Sequence, residues 1–268
     1  MEPTKYFYDL FDTKAASTSL DGDGLTVRRL EAAQRSLSLT TPDTAEAILI
    51  LSHGKAQVTG QTIQGERQLA IVAPATDIVL EPETLAYLVA PKAKTARFTR
   101  AKTLPAIYDM DRLQPPADNP RLKMLQTDAM SINWVHYQGP RDRTKLSPHS
   151  HADFSQGSLA LEGNFIHHLR TPWSKNANEW RADVHVDAAS PSLATIPPTV
   201  EHTTEGVGDG PHLLVDLFHP ARADYIAKGW MLNANDYKSC GKQRLPERMA
   251  GQSASHPVAL QNMLHGRG

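Results

Sequence analysis

The apolar residues of this chain come in short runs, each broken within a few positions by glycine, proline or a polar cluster, and that spacing suits strands rather than helices. In the first half the runs are residues 48–51, 56–59, 68–72, 78–80 and 85–89, with Gly54, Gly60, Gly65, Pro74 and Pro82 between or beside them. In the second half they are 132–137, 158–161, 164–169, 182–186, 193–196 and 212–218. Helix candidates are few: 44–47 is too short, and 222–228 has room for two turns. The expectation is an all-β chain whose strand spacing fits a sandwich or barrel.

Two segments stand apart from this pattern. Residues 103–120 hold Pro105, Pro115, Pro116 and Pro120 and read as an extended connector, because each proline fixes φ and removes a donor. Residues 237–268 are polar and punctuated, a tail that is either wrapped over a neighbour or disordered. The chain's 268 residues suffice for two modest cores, expected at 20–102 and 121–236. A faint repeat links the halves. Ala47-Ile-Leu-Ile-Leu51 followed by Gly54 resembles Ser158-Leu-Ala-Leu161 followed by Gly163, an offset of 109 residues.

The residues most suggestive of chemistry lie in the second half. Pro148-His-Ser-His-Ala-Asp-Phe-Ser-Gln156 sets two imidazoles two positions apart. On a strand both rings leave the same face. His202, behind Ile196-Pro197-Pro198, can close on His149 and His151 from another strand. Three convergent neutral imidazoles suit a divalent first-row transition metal. At the repeat offset the first half offers Thr40, Pro42 and Ala47 opposite His149, His151 and Gln156, and Ile78 or Val79 near the place of His202. The first copy thus carries no such ligands.

Composition narrows the partners. Net charge is -1, with lysine and arginine scattered, which argues against nucleic acid or an anionic membrane. The single cysteine, Cys240, excludes a disulfide or a thiolate cluster within one chain. No apolar run approaches the roughly 20 residues that span a bilayer, and the first residues lack the build of a signal peptide. A cytoplasmic protein acting on a small molecule is expected.

The histidine stretch resembles the cupin family. The first cupin motif, Gly-x5-His-x-His-x3-4-Glu-x6-Gly, is matched by His149, His151, four residues, Gln156, six residues and Gly163, with Gln in place of Glu and Arg143 where the leading glycine stands. The second motif, Gly-x5-Pro-x-Gly-x2-His-x3-Asn, is matched at Pro197 and His202, with Thr199 for the inner glycine, Pro191 for the leading one and Gly206 for the asparagine. The resemblance implies a bicupin: two jelly-roll, or double-stranded β-helix, barrels, commonly paired as a homodimer, with the metal in the second barrel. It also implies His149, His151 and His202 as ligands and Gln156 in the usual glutamate position. Gln156 is an odd number of residues from both histidines and reaches their face only through a bulge or turn. Asp153 has the right parity and a harder oxygen, and is the alternative.

Other residues admit two readings each. His167 and His168 are adjacent and point to opposite faces, and Arg170 shares parity with His168. A cationic His168/Arg170 pair could hold a substrate carboxylate or enediolate, which makes these the candidate catalytic residues; plain surface exposure is the other reading. His185 faces either pocket or solvent. Trp173 and Trp180 flank a polar loop as a lid, a pocket wall or ordinary core. Gly206, Gly208 and Gly210 read as a turn, since no phosphate-loop lysine or helix follows. Gly163 suits a tight turn after Glu162, and Glu201 or Glu205 is either a base beside His202 or a solvated carboxylate. The expected function is a mononuclear enzyme, an iron(II) dioxygenase of a small chelating substrate. The alternatives are a zinc, manganese or nickel isomerase, epimerase or lyase on a sugar-like or hydroxy-acid substrate, and a non-catalytic ligand-binding or structural cupin.

Overall fold

The structure, a computed structural model, describes residues 7–118, 120 and 122–238. The strand Ala47–His53 shows how the local sequence builds it. Its first five residues are all buried. Ile48 and Ile50 enter one core while Ala47, Leu49 and Leu51 enter another, so the run is continuously apolar because both faces are covered. This strand sits inside a six-stranded antiparallel sheet, flanked by Gln68–Val72 and Thr84–Pro91. A four-stranded sheet of Leu37–Thr40, Asp77–Leu80, Lys55–Val58 and Gln61–Gln64 closes the first barrel. Leu30, Leu49, Val58, Ile63, Ile78 and Leu80 help fill its interior, and the cluster there is aliphatic throughout.

The second barrel repeats the plan. Its large sheet runs Phe7–Leu10, Ser192–Ile196, Ser155–Glu162, Pro211–His219, Ser131–Gln138, Met124–Gln126. Its small sheet has Asn164–Arg170 between Val184–Ala189 and Glu201–Val207. Gly54 and Gly163, aligned by the sequence repeat, each link a strand of the large sheet to one of the small sheet, with φ of +101° and +89°. The backs of the two large sheets share one core. Val27, Ile50, Ile71 and Val89 of the first meet Ile132, Trp134, Leu159 and Val215 of the second.

Three expectations need adjustment. Residues 103–120 are not merely extended: Ala106–Asp109 adds to the edge of the first large sheet, pairing with Gln68–Val72, and Met110 is fully buried. The prolines fall outside that strand, where no ladder hydrogen bond is lost. The reading of 237–268 as a tail fails at its start, because Tyr237–Lys238 pairs with Thr99–Arg100. The rest of that segment, Cys240 included, lies outside the described residues. The strand Glu201–Val207 was not evident from hydropathy, since its buried positions are His202, Thr203, Glu205 and Gly206, neither apolar side chains nor alternating. The short helix Ala223–Ala227 falls within 222–228 as expected. No helix among the described residues is long and apolar enough to cross a membrane.

Candidate metal centre

Backbone pairing lays the third histidine beside the first two. His149 and His202 form an isolated antiparallel bridge, with N–H to O distances of 3.0 and 2.8 Å. The Thr199 N–H donates to the His151 carbonyl at 2.6 Å. Thr199 holds φ +69°, the left-handed conformation, at the position where the second motif has glycine. The ring centroids of His149, His151 and His202 lie 5.0, 4.5 and 5.3 Å apart in their three pairings. One nitrogen of each falls within 4.8 Å of the other two.

The tautomers follow from the backbone. His149 Nδ1 lies 2.9 Å from the Ser147 carbonyl, and His202 Nδ1 lies 2.9 Å from that of Val200. A carbonyl only accepts, so each Nδ1 carries the proton and each Nε2 of the neutral ring is a bare lone pair. Burial pushes His202 down to about 4. Burial, followed by the Arg222 guanidinium, does the same to His151, which also falls to about 4. Both rings are therefore unprotonated at neutral pH.

Gln156 supplies a fourth donor. Its Oε1 is 3.2 Å from Nε2 of both His151 and His202. Its amide NH₂ donates to Asp216 Oδ1 at 2.9 Å and Ser158 Oγ at 3.2 Å, which fixes the oxygen toward the histidines. Since His202 Nε2 bears no hydrogen, two lone-pair groups face each other at 3.2 Å, an arrangement a cation satisfies. Donors about 2.1 Å from one metal sit about 3.0–3.4 Å from each other, so the residues fit such an ion. Gln156 overcomes its parity because the chain bends at 152–153 before the strand begins, and Asp153 stays exposed there. Around His151 the Phe154 ring stacks at 4.6 Å and Phe218 meets it edge-on at 5.8 Å.

Asp216 escaped the sequence reading, although an acid inside the apolar strand Pro211–His219 is itself a signal. Burial raises its carboxyl to about 6, against hydrogen bonds from Asn133 and Ser158 that favour the anion.

The candidate catalytic pair points away from the barrel interior, yet both residues line one small pocket with His202. Phe165, His167 and Leu169 are buried facing inward, which sends His168 and Arg170 to the outer face of the small sheet. The turn at Gly163 sets that phase. His168 Nε2 meets Glu205 Oε2 at 2.9 Å and its Nδ1 meets His185 Nδ1 at 2.8 Å, while Arg170 is clamped on Asp183. A 430 Å³ cavity on this outer face is lined by Arg143, Leu146, Pro148, Ile166, His168 and His185. The ring inside the barrel is His167, 1% exposed, with Nδ1 3.0 Å from Thr204 Oγ1. Glu205 is buried and Gly206 lies within a strand, not a turn, where an added Cβ would strike Tyr137 and His212. Trp173 and Trp180 are not core: they are 70% and 46% exposed and stack on each other at 4.4 Å.

No family model matches the sequence, and no curated protein matches it in sequence. The fold does match solved structures. An IolB-like protein from Salmonella typhimurium LT2 superposes with a TM-score of 0.55 at 9% identity, over 79% of this chain and 92% of that one. The formate complex of oxalate decarboxylase from Lactobacillus farciminis gives 0.51 at 12% identity, over 85% and 92%. The 7S globulin of Momordica charantia gives 0.50 at 12% identity, over 81% and 84%. At these identities the likeness is one of fold.

Proposed function

We propose that this chain, a bicupin by fold, is an enzyme that holds one divalent transition-metal ion on His149, His151 and His202, with Gln156 completing the set, and that it dioxygenates a small chelating substrate. The convergence of three imidazoles on a carboxamide oxygen, with the Nε2 lone pairs of His149 and His202 left bare, carries this reading. Bound there, such an ion supplies Lewis acidity toward a chelating substrate and, as iron(II), a redox partner for dioxygen. The four donor atoms themselves carry no formal charge. Burial keeps His151 and His202 unprotonated, Phe154 and Phe218 screen His151 from water, and the Arg222 charge opposes its protonation. The chain is proposed to work as a cytoplasmic homodimer, and a monomeric mass by sedimentation overturns that assembly.

Elemental mass spectrometry on protein purified without added metal tests the reading. Near-stoichiometric iron, with oxygen uptake on diols, diketones or thiols, supports it. Zinc, manganese or nickel with oxygen-independent turnover of a sugar or hydroxy acid overturns the dioxygenase and leaves a metal-dependent isomerase or lyase. Absence of metal, with none taken up on titration, overturns the enzyme in favour of a ligand-binding or structural bicupin.

A further inference from the structure

We infer that Asp216 is a positioning residue that makes Gln156 a metal donor, holding the amide by its NH₂ end and lending the site the negative charge that a glutamate would bring directly. The inference rests on the metal reading above.

A carboxamide can present either end to a cation, and only its oxygen is a donor. A carboxylate accepts and cannot donate, so Asp216 Oδ1, 2.9 Å from Gln156 Nε2, selects the productive orientation. A hydrogen bond from an amide N–H to an anion also shifts electron density toward the amide oxygen, which strengthens it as a ligand. Asp216 is held from both sides. It is paired across the sheet with Ser158 and with Asn133, and their side chains reach its oxygens at 3.3 and 3.4 Å. In the first barrel Ala47 stands in the place of Gln156, and the residue paired across the sheet at the place of Asp216 is the buried Leu88. Donor and acid are replaced together.

The test is cobalt(II) titration of the full-length, metal-free chain, read by affinity and by the visible cobalt spectrum, with melting curves recorded without metal. Native protein is compared with D216N, Q156E and the double exchange Q156E/D216N. D216N is expected to lose about 10- to 100-fold in affinity. Q156E alone sets two carboxylates against each other and is expected to bind no tighter than native. The double exchange rebuilds the amide–carboxylate pair in reverse, with the charge now on the donor, and is expected to recover native affinity and spectrum.

A purely structural Asp216 would lower the melting temperature of D216N and leave its cobalt affinity alone, which overturns the inference. So does a double exchange that recovers nothing. Should D216N fail to fold, the double exchange decides by itself. Native protein that binds no cobalt overturns the metal reading as well; native binding with an indifferent D216N overturns this inference alone.

Discussion

Thr199 occupies a left-handed conformation that costs a β-branched residue about 1–2 kcal/mol and glycine almost nothing. Its side chain is exposed, so little packing is lost on truncation. Allowing for glycine's greater freedom when unfolded, T199G is expected to stabilise the chain by up to about 1 kcal/mol, visible as a raised melting temperature; a lowered one argues that the threonine is holding the turn. The histidines themselves are tested by contrast. H151A is expected to abolish most metal uptake and H168A to leave it intact, since His168 faces outward; equal losses in elemental analysis would contradict the placement. In the metal-free protein burial holds His151 and His202 down to about 4, so each ring should gain its proton there and not near the 6.5 of an ordinary histidine. NMR titration of the imidazole resonances without metal checks both, and a ring titrating near 6.5 would contradict its burial. The three histidines were legible because each sits in a short local motif, His149 and His151 in His-x-His and His202 five residues after Pro197. Asp216 was not, because its partner Gln156 is 60 residues away and only the sheet register joins them.

At the level of elements, phase decides what faces the site. The strand Asn164–Arg170 begins directly after Gly163, and that start point turns His167 inward and His168 outward. Two glycines with nearly the same φ separate backbone strain from packing. Gly163 has φ +89° and an added Cβ would lie 2.6 Å from the Pro211 carbonyl, whereas Gly208 has φ +92° with open space around it. G208A is expected to cost about 1–2 kcal/mol of left-handed strain, and G163A that amount plus about 1–3 kcal/mol of overpacking. Denaturant titration of the pair measures the difference, and equal costs would mean the neighbouring strand yields freely. Strand positions were legible wherever a run was aliphatic. Glu201–Val207, whose buried positions are histidine, threonine, glutamate and glycine, was hidden because functional polar residues erase the alternation that marks a strand. The exposed tryptophan pair, for which ordinary core was one of three readings, shows the converse: ring size alone does not place a residue inside.

For the whole molecule, the shared core between the two large sheets is the governing feature. Leu159 and Trp134 are fully buried against residues of the first barrel, so neither barrel keeps its back covered without the other. L159A is expected to cost about 2–5 kcal/mol and to lower a single calorimetric transition for both barrels; two separate peaks would show them to be independent. The interiors differ position by position. Where the first barrel has Ala47, Leu49 and Leu88, the second accepts the cost of burying Gln156, Ser158 and Asp216. One pairing adds an order of events. Phe7–Leu10 pairs with Ser192–Ile196, and even the nearest partners, Leu10 and Ser192, are 182 residues apart. The earlier strand must therefore wait, unpaired, while everything between the two is made. That edge of the second barrel is sealed by a strand far older than its neighbour.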